Sequence, residues 1–209
     1  MYHVIFDIHS YWRAGTGHGA GALLDELVHR DIYGLPCLPG RTVKGLLRDA
    51  VCRAEQWEHI DKNLTVDCFG EENGLSLETK PGAIIVSDAC IDDEVRNYLS
   101  ALLQSKSDKL NQDGKMLRRG FFHPISATRI EHETGCAQDK SLRGMEVAIP
   151  LKLTATLSVL PNSQLVDNNN WHEQLKKCLP LIRNIGSSGS RGLGRVTVKL
   201  ENCSRQDDS

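Results

Sequence analysis

The order of predicted strands and helices constrains the fold of this chain more than any single motif does. Residues 2–8 alternate between apolar and polar side chains, with Val4, Phe6 and Ile8 on one face, as in a half-buried strand. Other segments with strand character alternate with segments that have the helical spacing of apolar residues. We expect strands at 83–87, 146–160 and 195–200, and helices at 42–57, 92–104 and 171–179.

The stretch between Asp108 and Arg143 interrupts this order, because it is too long and too polar for a core element. We expect it to project from the domain. The remaining elements are compatible with an α+β fold, a ferredoxin-like sheet of the RNA-recognition type with helices on one face. The predicted organisation is one domain over 1–209, with a projecting insertion at about 105–145 and a frayed tail at 203–209.

Composition limits the classes of function. A formal net charge of −2 argues against a uniformly basic nucleic-acid-binding protein, and 5% aromatic residues leave few surfaces on which bases stack. Cations nevertheless cluster near 41–53, 115–129 and 183–199, and phosphate contacts depend on local charge. The seven cysteines include no C-x-x-C pair, so we expect reduced thiols, a cytoplasmic protein and no structural zinc. No apolar run approaches about 18 residues, so no membrane span is expected.

The predicted helix at 42–57 has two stripes. One stripe is apolar, and Arg41, Lys44 and Arg48 form a second, outward stripe at three- and four-residue spacing. Pro39-Gly40 places a turn and a helix start beside these cations, which favours an anion site. A solvated helix face remains the alternative. The order of a nucleotide-triphosphate-binding loop, G-x-x-x-x-G-K-[ST], is absent.

Two glycine-rich stretches are candidate contacts for a phosphate chain. The stretch 186–195 combines glycines with serines and arginines, and we predict RNA contacts from Gly189, Ser190, Arg191 and Gly192. A flexible hairpin loop is the alternative for this stretch. The stretch 15–21 instead leads into a group of acids and histidines.

This second stretch carries the candidate catalytic chemistry. Asp25 can take a proton from a ribose 2′-hydroxyl or hold a divalent metal that stabilises the departing oxygen. His18 is a candidate RNA contact, and His18 with His29 is an alternative, metal-free acid–base pair. Composition alone also permits all of these to be ordinary surface polar groups.

In chain order, these stretches resemble the RAMP superfamily of CRISPR-associated proteins. The likeness is greatest to the backbone subunit that repeats along type III effector complexes. It spans residues 2 to about 200 and rests on several segments: 10–17, Asp25 with Asp31, 34–48, 68–70, 82–89 and 185–196.

The resemblance implies a palm that holds guide crRNA and a thumb-like hairpin that separates guide from target RNA. The thumb would run from about Ser126 to Glu146, and we predict an RNA contact from Arg129. Arg41, Lys44 and Arg48 would hold guide phosphates. The partners implied are crRNA, target RNA, other type III subunits and head-to-tail copies of this chain.

The resemblance also implies an activity. Asp25 matches the family's catalytic acid, which lies before an arginine–aspartate pair, here Arg30-Asp31. The implied reaction is a metal-dependent cut, with Mg²⁺ or Mn²⁺, in which a 2′-hydroxyl attacks the adjacent phosphate. Two alternatives stay open: a non-catalytic crRNA-binding scaffold of the same complex, and a ribonuclease that processes precursor crRNA.

Overall fold

The computed structural model describes residues 1–15, 27–71, 80–138, 141–161, 163, 165 and 170–203. The strands within these ranges are β1 (Tyr2–Ile8), β2 (Ile84–Val86), β3 (Phe122–Ala127), β4 (Arg143–Ala148), β5 (Lys152–Val159) and β6 (Val196–Asn202). The helices are α1 (Gly40–Gln56), α2 (Leu64–Phe69), α3 (Asp93–Gln104), α4 (Asp108–Gly120) and α5 (Trp171–Cys178).

The main sheet has the order β2-β5-β1-β6, and every neighbouring pair is antiparallel. The first strand of the chain therefore lies between the two last strands of this sheet. This arrangement of two β-α-β units is ferredoxin-like, so the predicted fold class is confirmed. We call this sheet, together with α1 and α5, the palm.

The core lies between the palm sheet and its helices. β1 buries Val4, Phe6 and Ile8, as its alternation predicts. From the other side, α1 contributes the apolar stripe expected from its spacing: Val43, Leu47, Ala50, Val51 and Ala54. Pro180 follows α5 within a single 3₁₀ turn, where the helix was expected to end.

Residues 93–148, which we call the insertion, contain more regular structure than the sequence suggested. The polar stretch from Ser105 to Gly114 predicts a loop, but the structure has α4 from Asp108 onward. α4 packs closely on α3 at Gly114, where a Cβ would lie 3.0 Å from Leu102 Cβ. The helical spacing of Val95, Leu99 and Leu102 predicts an inward face for α3. Leu99 is buried, but Val95 is 40% exposed.

The expected strand at 146–160 is two strands in different sheets. β4 pairs with β3 in a separate two-stranded hairpin, and β5 lies in the palm sheet. The chain changes sheets at residues 149–151, where Pro150 cannot donate a backbone hydrogen bond. None of the described helices is long and apolar enough to cross a membrane.

Candidate nucleic-acid interface

The glycine-rich segment that precedes β6 is docked against the chain that follows β1. The Ser187 amide donates to the Arg13 carbonyl (3.0 Å), and the Gly194 amide donates to the Tyr11 carbonyl (2.7 Å). Gly186 has φ +71°, and a Cβ at this position would lie 2.0 Å from the Arg13 carbonyl oxygen. Only glycine permits this approach. The segment is thus a docked loop rather than an unattached hairpin.

Arg13 reinforces this docking from inside the protein. Its Nε and Nη2 atoms donate to Ser187 Oγ at 2.9 and 2.7 Å. Burial of the guanidinium lowers the pKa of Arg13 through desolvation. An arginine stays protonated despite such a shift, so its role here is to hold the loop in place.

A cleft of about 1010 Å³ lies between this loop and the start of β6. The loop lines it with Gly189, Ser190 and Gly192, which are three of the predicted RNA contacts. Arg183 and Arg195 line it from the flanking chain. Both arginines lie in the basic cluster near 183–199, although neither was among the individually predicted RNA contacts.

A second cleft, of about 540 Å³, lies where the loop meets the β3-β4 hairpin. Arg191 lines this cleft from the loop, and Arg129 lines it from the connection between β3 and β4. The structure therefore brings two predicted RNA contacts together. Arg143, which the sequence did not indicate, joins them because its backbone is paired with Ala127 at the end of the hairpin ladder.

Five side chains along the two clefts form one positively charged feature, the arginine strip: Arg129, Arg143, Arg183, Arg191 and Arg195. All five residues are exposed. Within the described ranges, none of their guanidinium groups has an ion pair or a side-chain hydrogen bond. Guanidinium groups in this state suit a phosphate chain, which they contact through paired donors.

The predicted contacts on α1 lie on a separate element. Arg41 is exposed, and Lys44 and Arg48 are half-buried. The start of α1 already holds an anion, because the Gly40 amide donates to Asp88 Oδ1 at 2.7 Å. The expected anion site at this helix start is therefore occupied by the protein's own Asp88 carboxylate. RNA binding by the side chains of Arg41, Lys44 and Arg48 stays a prediction.

The segment that carries Asp25 has a well-defined base. Gly15 and Val28 are paired, and the His29 amide donates to the Ala14 carbonyl at 2.7 Å. The predicted residues Asp25 and His18 lie outside the described residues. The structure thus places the two ends of their segment but not the side chains themselves.

Glu146 of the hairpin fixes this base. Its carboxylate, buried within the molecule, accepts from the Val28 amide (3.2 Å) and from Arg30 Nη2 (2.7 Å). The Arg30 guanidinium lies 3.8 Å from the centre of the Phe122 ring of β3. The arginine that follows Asp25 in the motif therefore ties its segment to the hairpin.

Asp31, the second acid of the motif, is structural. Its Oδ1 atom accepts from the Tyr33 and Leu35 amides, both at 2.9 Å, and Oδ2 lies 3.3 Å from Arg96 Nε. A carboxylate with three such partners stabilises the turn after the segment and is poorly placed to act as a base.

Among the described residues, no three His, Cys, Asp or Glu side chains come together in a way that suits a metal ion. Within the same ranges, Cys68 belongs to no such group. Burial raises the pKa of Cys68 to about 12 and that of Cys178 to about 11, as expected of apolar surroundings. Neither the described carboxylates nor the described thiols therefore form a site for the implied divalent metal.

A family model of the RAMP superfamily matches residues 6–197. This chain belongs to the RAMP superfamily. The RAMP match includes both the docked glycine loop and the hairpin, so the two clefts lie within the family's own region. No curated protein matches the chain.

Solved structures share the RAMP chain's fold at low identity. A chain of a type III-B Cmr-beta complex bound to cognate target RNA is 11% identical, with a TM-score of 0.67, over 95% of this chain and 96% of that one. A chain of the apo Cmr-beta complex is 10% identical, with a TM-score of 0.65, over 96% and 97%. At these identities the likeness is one of fold.

Proposed function

We propose that this RAMP chain binds crRNA as a backbone subunit of a type III CRISPR effector complex. One observation carries the proposal: Arg191 of the palm loop shares a cleft with Arg129 and Arg143 of the hairpin. A single RNA strand along both clefts would meet the whole arginine strip. The fold shared with a Cmr-beta chain, whose complex was solved with target RNA, supports this reading.

The distribution of charge supports RNA binding despite the net charge of −2. The open face of the palm sheet also has an acidic cleft, lined by Asp88, Asp92, Asp93 and Glu94. A polyanion is repelled there and attracted to the arginine strip, so the strip is the more favourable surface for a phosphate chain. Assembly with other type III subunits and with head-to-tail copies, in the cytoplasm, belongs to the same proposal.

We further propose that Asp25 is the catalytic acid for target-RNA cutting. Asp25 precedes Val28 by three residues in the sequence, and Val28 is held by Glu146. Three extended residues span at most about 10 Å, which limits how far the Asp25 backbone can be from Val28. Asp31 and Glu146, the described carboxylates at the base of this segment, already have structural partners. Asp25 is the acid of the segment that matches the family's motif.

The reaction is a transfer of the phosphate from one oxygen to another. The ribose 2′-hydroxyl gives its proton to the base, and its oxygen bonds to the adjacent phosphorus while the bond to the 5′-oxygen breaks. The departing 5′-oxygen takes up a proton from solvent, so the products are a 2′,3′-cyclic phosphate and a 5′-hydroxyl. The described residues supply no ligand set for a divalent metal, so no step is assigned to one, and the expected metal dependence is tested directly.

RNA binding is tested by measuring affinity for single-stranded RNA against salt concentration. Arg191→Ala and Arg143→Ala should each weaken binding and lower the slope of log affinity against log salt by about 0.7. Arg119→Ala is the matched control, because Arg119 is exposed on α4 and lines neither cleft. Lys44→Ala tests the α1 stripe in the same assay. Equal slopes for all four variants and the unaltered protein would refute the role of the strip.

Cutting is tested in the assembled complex with target RNA. Asp25→Asn should reduce the rate by at least about 100-fold while crRNA binding is retained, since a general base typically contributes that much. Asp113→Asn, an exposed acid on α4, is the control. EDTA should also stop cutting. If Asp25→Asn cuts at the normal rate, the scaffold alternative replaces this assignment.

A further inference from the structure

An exposed aromatic pair lies where the palm meets the hairpin. The rings of Tyr11 and His123 are stacked, with centroids 5.5 Å apart and planes 13° apart. Tyr11 is 39% exposed, and His123 is also exposed. Tyr11 follows β1 of the palm, and its carbonyl accepts from the Gly194 amide of the docked loop. Because His123 belongs to the hairpin, the pair contacts the palm, the docked loop and the hairpin.

The pair shares one face of the hairpin with the arginine strip. Side chains of a strand alternate between faces, so His123, Ile125 and Ala127 of β3 lie on the same side. Arg143 pairs with Ala127 and lies at the far end of that face, where Arg129 and Arg191 complete the cleft. Four residues of strand separate His123 from Ala127, or about 13 Å, which is a span of a few nucleotides.

The centre of this face is apolar. Ile125 and its cross-strand partner Met145 lie between the aromatic pair and the arginines, and both are half-buried. The face therefore presents an aromatic pair, then aliphatic surface, then cations. Aromatic platforms beside a cationic groove are how proteins hold single-stranded nucleic acid without reading its sequence.

We propose that Tyr11, backed by His123, is a stacking platform for one base of the RNA that lies along the arginine strip. This inference rests on the proposed function and adds a base contact to its phosphate contacts. His123 supports one side of the Tyr11 ring, which leaves the other side for a base. The platform should accept any base, because stacking requires only a planar ring.

The position of Tyr11 distinguishes it from the other exposed aromatic residues. Among the described residues those are Trp57, after the end of α1, and Tyr98, on α3. None of the three lines the two clefts, but only Tyr11 has a carbonyl that accepts from Gly194 of the docked loop and a ring that stacks on His123 of the hairpin. Tyr98 is therefore a matched control: an exposed tyrosine on the same protein that this inference assigns no contact with RNA.

The test compares affinities of the full-length variants for a labelled oligouridylate. Tyr11→Leu should weaken binding by about 5- to 150-fold, the range reported by removal of one stacked base contact. Tyr11→Phe should bind as the unaltered protein does, and so should Tyr98→Leu. The salt slope of Tyr11→Leu should equal that of the unaltered protein, because stacking releases no counterions.

The outcomes separate this inference from the proposed function. If the unaltered protein does not bind RNA, both fail. If it binds and Tyr11→Leu binds equally well, the platform alone is refuted and the arginine strip stands. If Tyr11→Leu fails to fold, photocrosslinking of the unaltered protein to 5-iodouridine RNA decides. A crosslink at Tyr11 or His123 supports the platform, and crosslinks only elsewhere overturn it.

A separate observation concerns two buried thiols. Leu38 and Ala89 exchange both backbone hydrogen bonds, at 2.9 and 2.8 Å. Cys37 and Cys90 are therefore the next directly opposed pair, of the type without mutual backbone bonds, with Cα atoms about 4.5 Å apart. The two thiols also influence each other's ionisation: the neighbouring Cys90 raises the pKa of Cys37, and Cys37 lowers the pKa of Cys90. This separation lies in the range that a disulfide can bridge.

We infer that Cys37 and Cys90 are a peroxide-sensitive pair that forms a disulfide. Cys90 is half-buried and lines the cleft on the open face of the sheet, whereas Cys37 is buried behind it. The Cys90 sulfur, after losing its proton, attacks hydrogen peroxide; an S–O bond forms, the O–O bond breaks and hydroxide leaves. Cys37 then attacks the Cys90 sulfur, and water leaves as the disulfide forms. Two thiols are oxidised and one peroxide is reduced to two waters.

This inference is tested on the folded protein with hydrogen peroxide, followed by denaturation, alkylation and peptide mass spectrometry. A peptide linking Cys37 to Cys90, lighter by two hydrogens, is expected. Cys136, which is exposed, reports that the oxidant has acted. In Cys90→Ser, Cys37 should stay fully alkylatable. Oxidation at Cys136 with both Cys37 and Cys90 still alkylated would overturn the inference.

Discussion

The palm and the insertion differ in how they use their side chains. The palm buries nearly every inward residue of its strands, including Val4, Phe6 and Leu153, which have no exposure. In the insertion, α3 and α4 bury only Leu99 and Gly114 among their described residues. The palm therefore gains its shape from apolar burial, and the insertion gains its position from a few specific attachments.

Those attachments lie at the junction of the two regions. Trp12 exchanges backbone hydrogen bonds with Ala148 at 3.1 and 2.8 Å, and its Nε1 donates to the Ile149 carbonyl. Glu146 adds the carboxylate contacts with Val28 and Arg30. The proposed RNA contacts come from both sides of this junction, so a rigid palm positions cations that the insertion completes.

The largest effect is expected from removing palm core. Phe6→Ala should lower the free energy of unfolding by about 3–5 kcal/mol, because it deletes a fully buried ring and leaves a cavity. Leu110→Ala on α4, where the side chain is 44% exposed, should change it by less than about 0.5 kcal/mol. Denaturant unfolding measures both. Similar losses would show that the insertion is as tightly packed as the palm.

Two glycines with similar backbone angles sharpen the comparison. Gly186 has φ +71° and a carbonyl 2.0 Å from its hypothetical Cβ, whereas Gly135 has φ +65° and nothing within 4 Å. Gly186→Ala should cost about 2–5 kcal/mol, from strain plus overlap, and Gly135→Ala only about 1–2 kcal/mol from strain. Thermal unfolding with a calorimetric enthalpy gives both values. Equal costs would mean that the loop can move away from Arg13.

The junction itself is tested with Glu146→Ala. Loss of the carboxylate leaves the Val28 amide without its acceptor, and we expect a cost of about 1–3 kcal/mol. The control is Glu131→Ala at the exposed tip of the insertion, with an expected change below about 0.5 kcal/mol. Faster proteolysis between β3 and β4 in Glu146→Ala alone would show that the hairpin has lost its attachment.

The smallest expected effect is a dependence of the free energy of unfolding on pH, which comes from a buried thiol of the palm. Burial raises the pKa of Cys68 to about 12, so this thiol stays protonated in the folded chain after it ionises in the unfolded one. Its contribution to stability is complete below the unfolded pKa of about 9 and is lost as pH rises toward the folded value.

Between pH 8 and pH 10, the loss should amount to about 1.4 kcal/mol. Cys68→Ala should remove that part of the slope of unfolding free energy against pH, although the substitution lowers stability at every pH. Cys136→Ala, at an exposed position in the insertion, should leave the slope unchanged. A slope that is identical in all three proteins would contradict the assignment to Cys68.

Periodicity predicted the palm elements well and the insertion poorly. The alternation of Val4, Phe6 and Ile8 and the apolar stripe of α1 reflect burial on one side, and both are reproduced in the structure. In α4 the large apolar residues Leu110, Met116 and Leu117 are exposed, and the buried position is Gly114, which lies close to α3. A contact between two helices of this kind leaves little trace in the residues of either one.

The residues of the proposed RNA interface were likewise predicted only in part. Glycines, serines and arginines near the end of the chain indicated a phosphate contact, and they do line two clefts. Arg143 was missed because its relevance depends on its pairing with Ala127. The sequence predicted an anion site at the start of α1. It did not show that Asp88, which follows β2, already occupies that site.

The sequence by itself determined the elements of the palm, the docked glycine loop as a special segment, and the family to which the chain belongs. Only the tertiary structure decided which cations share a cleft, which acids are already bonded, and which thiols and rings face each other. The physical reason is the distance along the chain over which each effect acts. Burial patterns and turn chemistry depend on a few neighbouring residues. The meeting of Arg191 with Arg129, or of Tyr11 with His123, depends on how distant segments pair and dock.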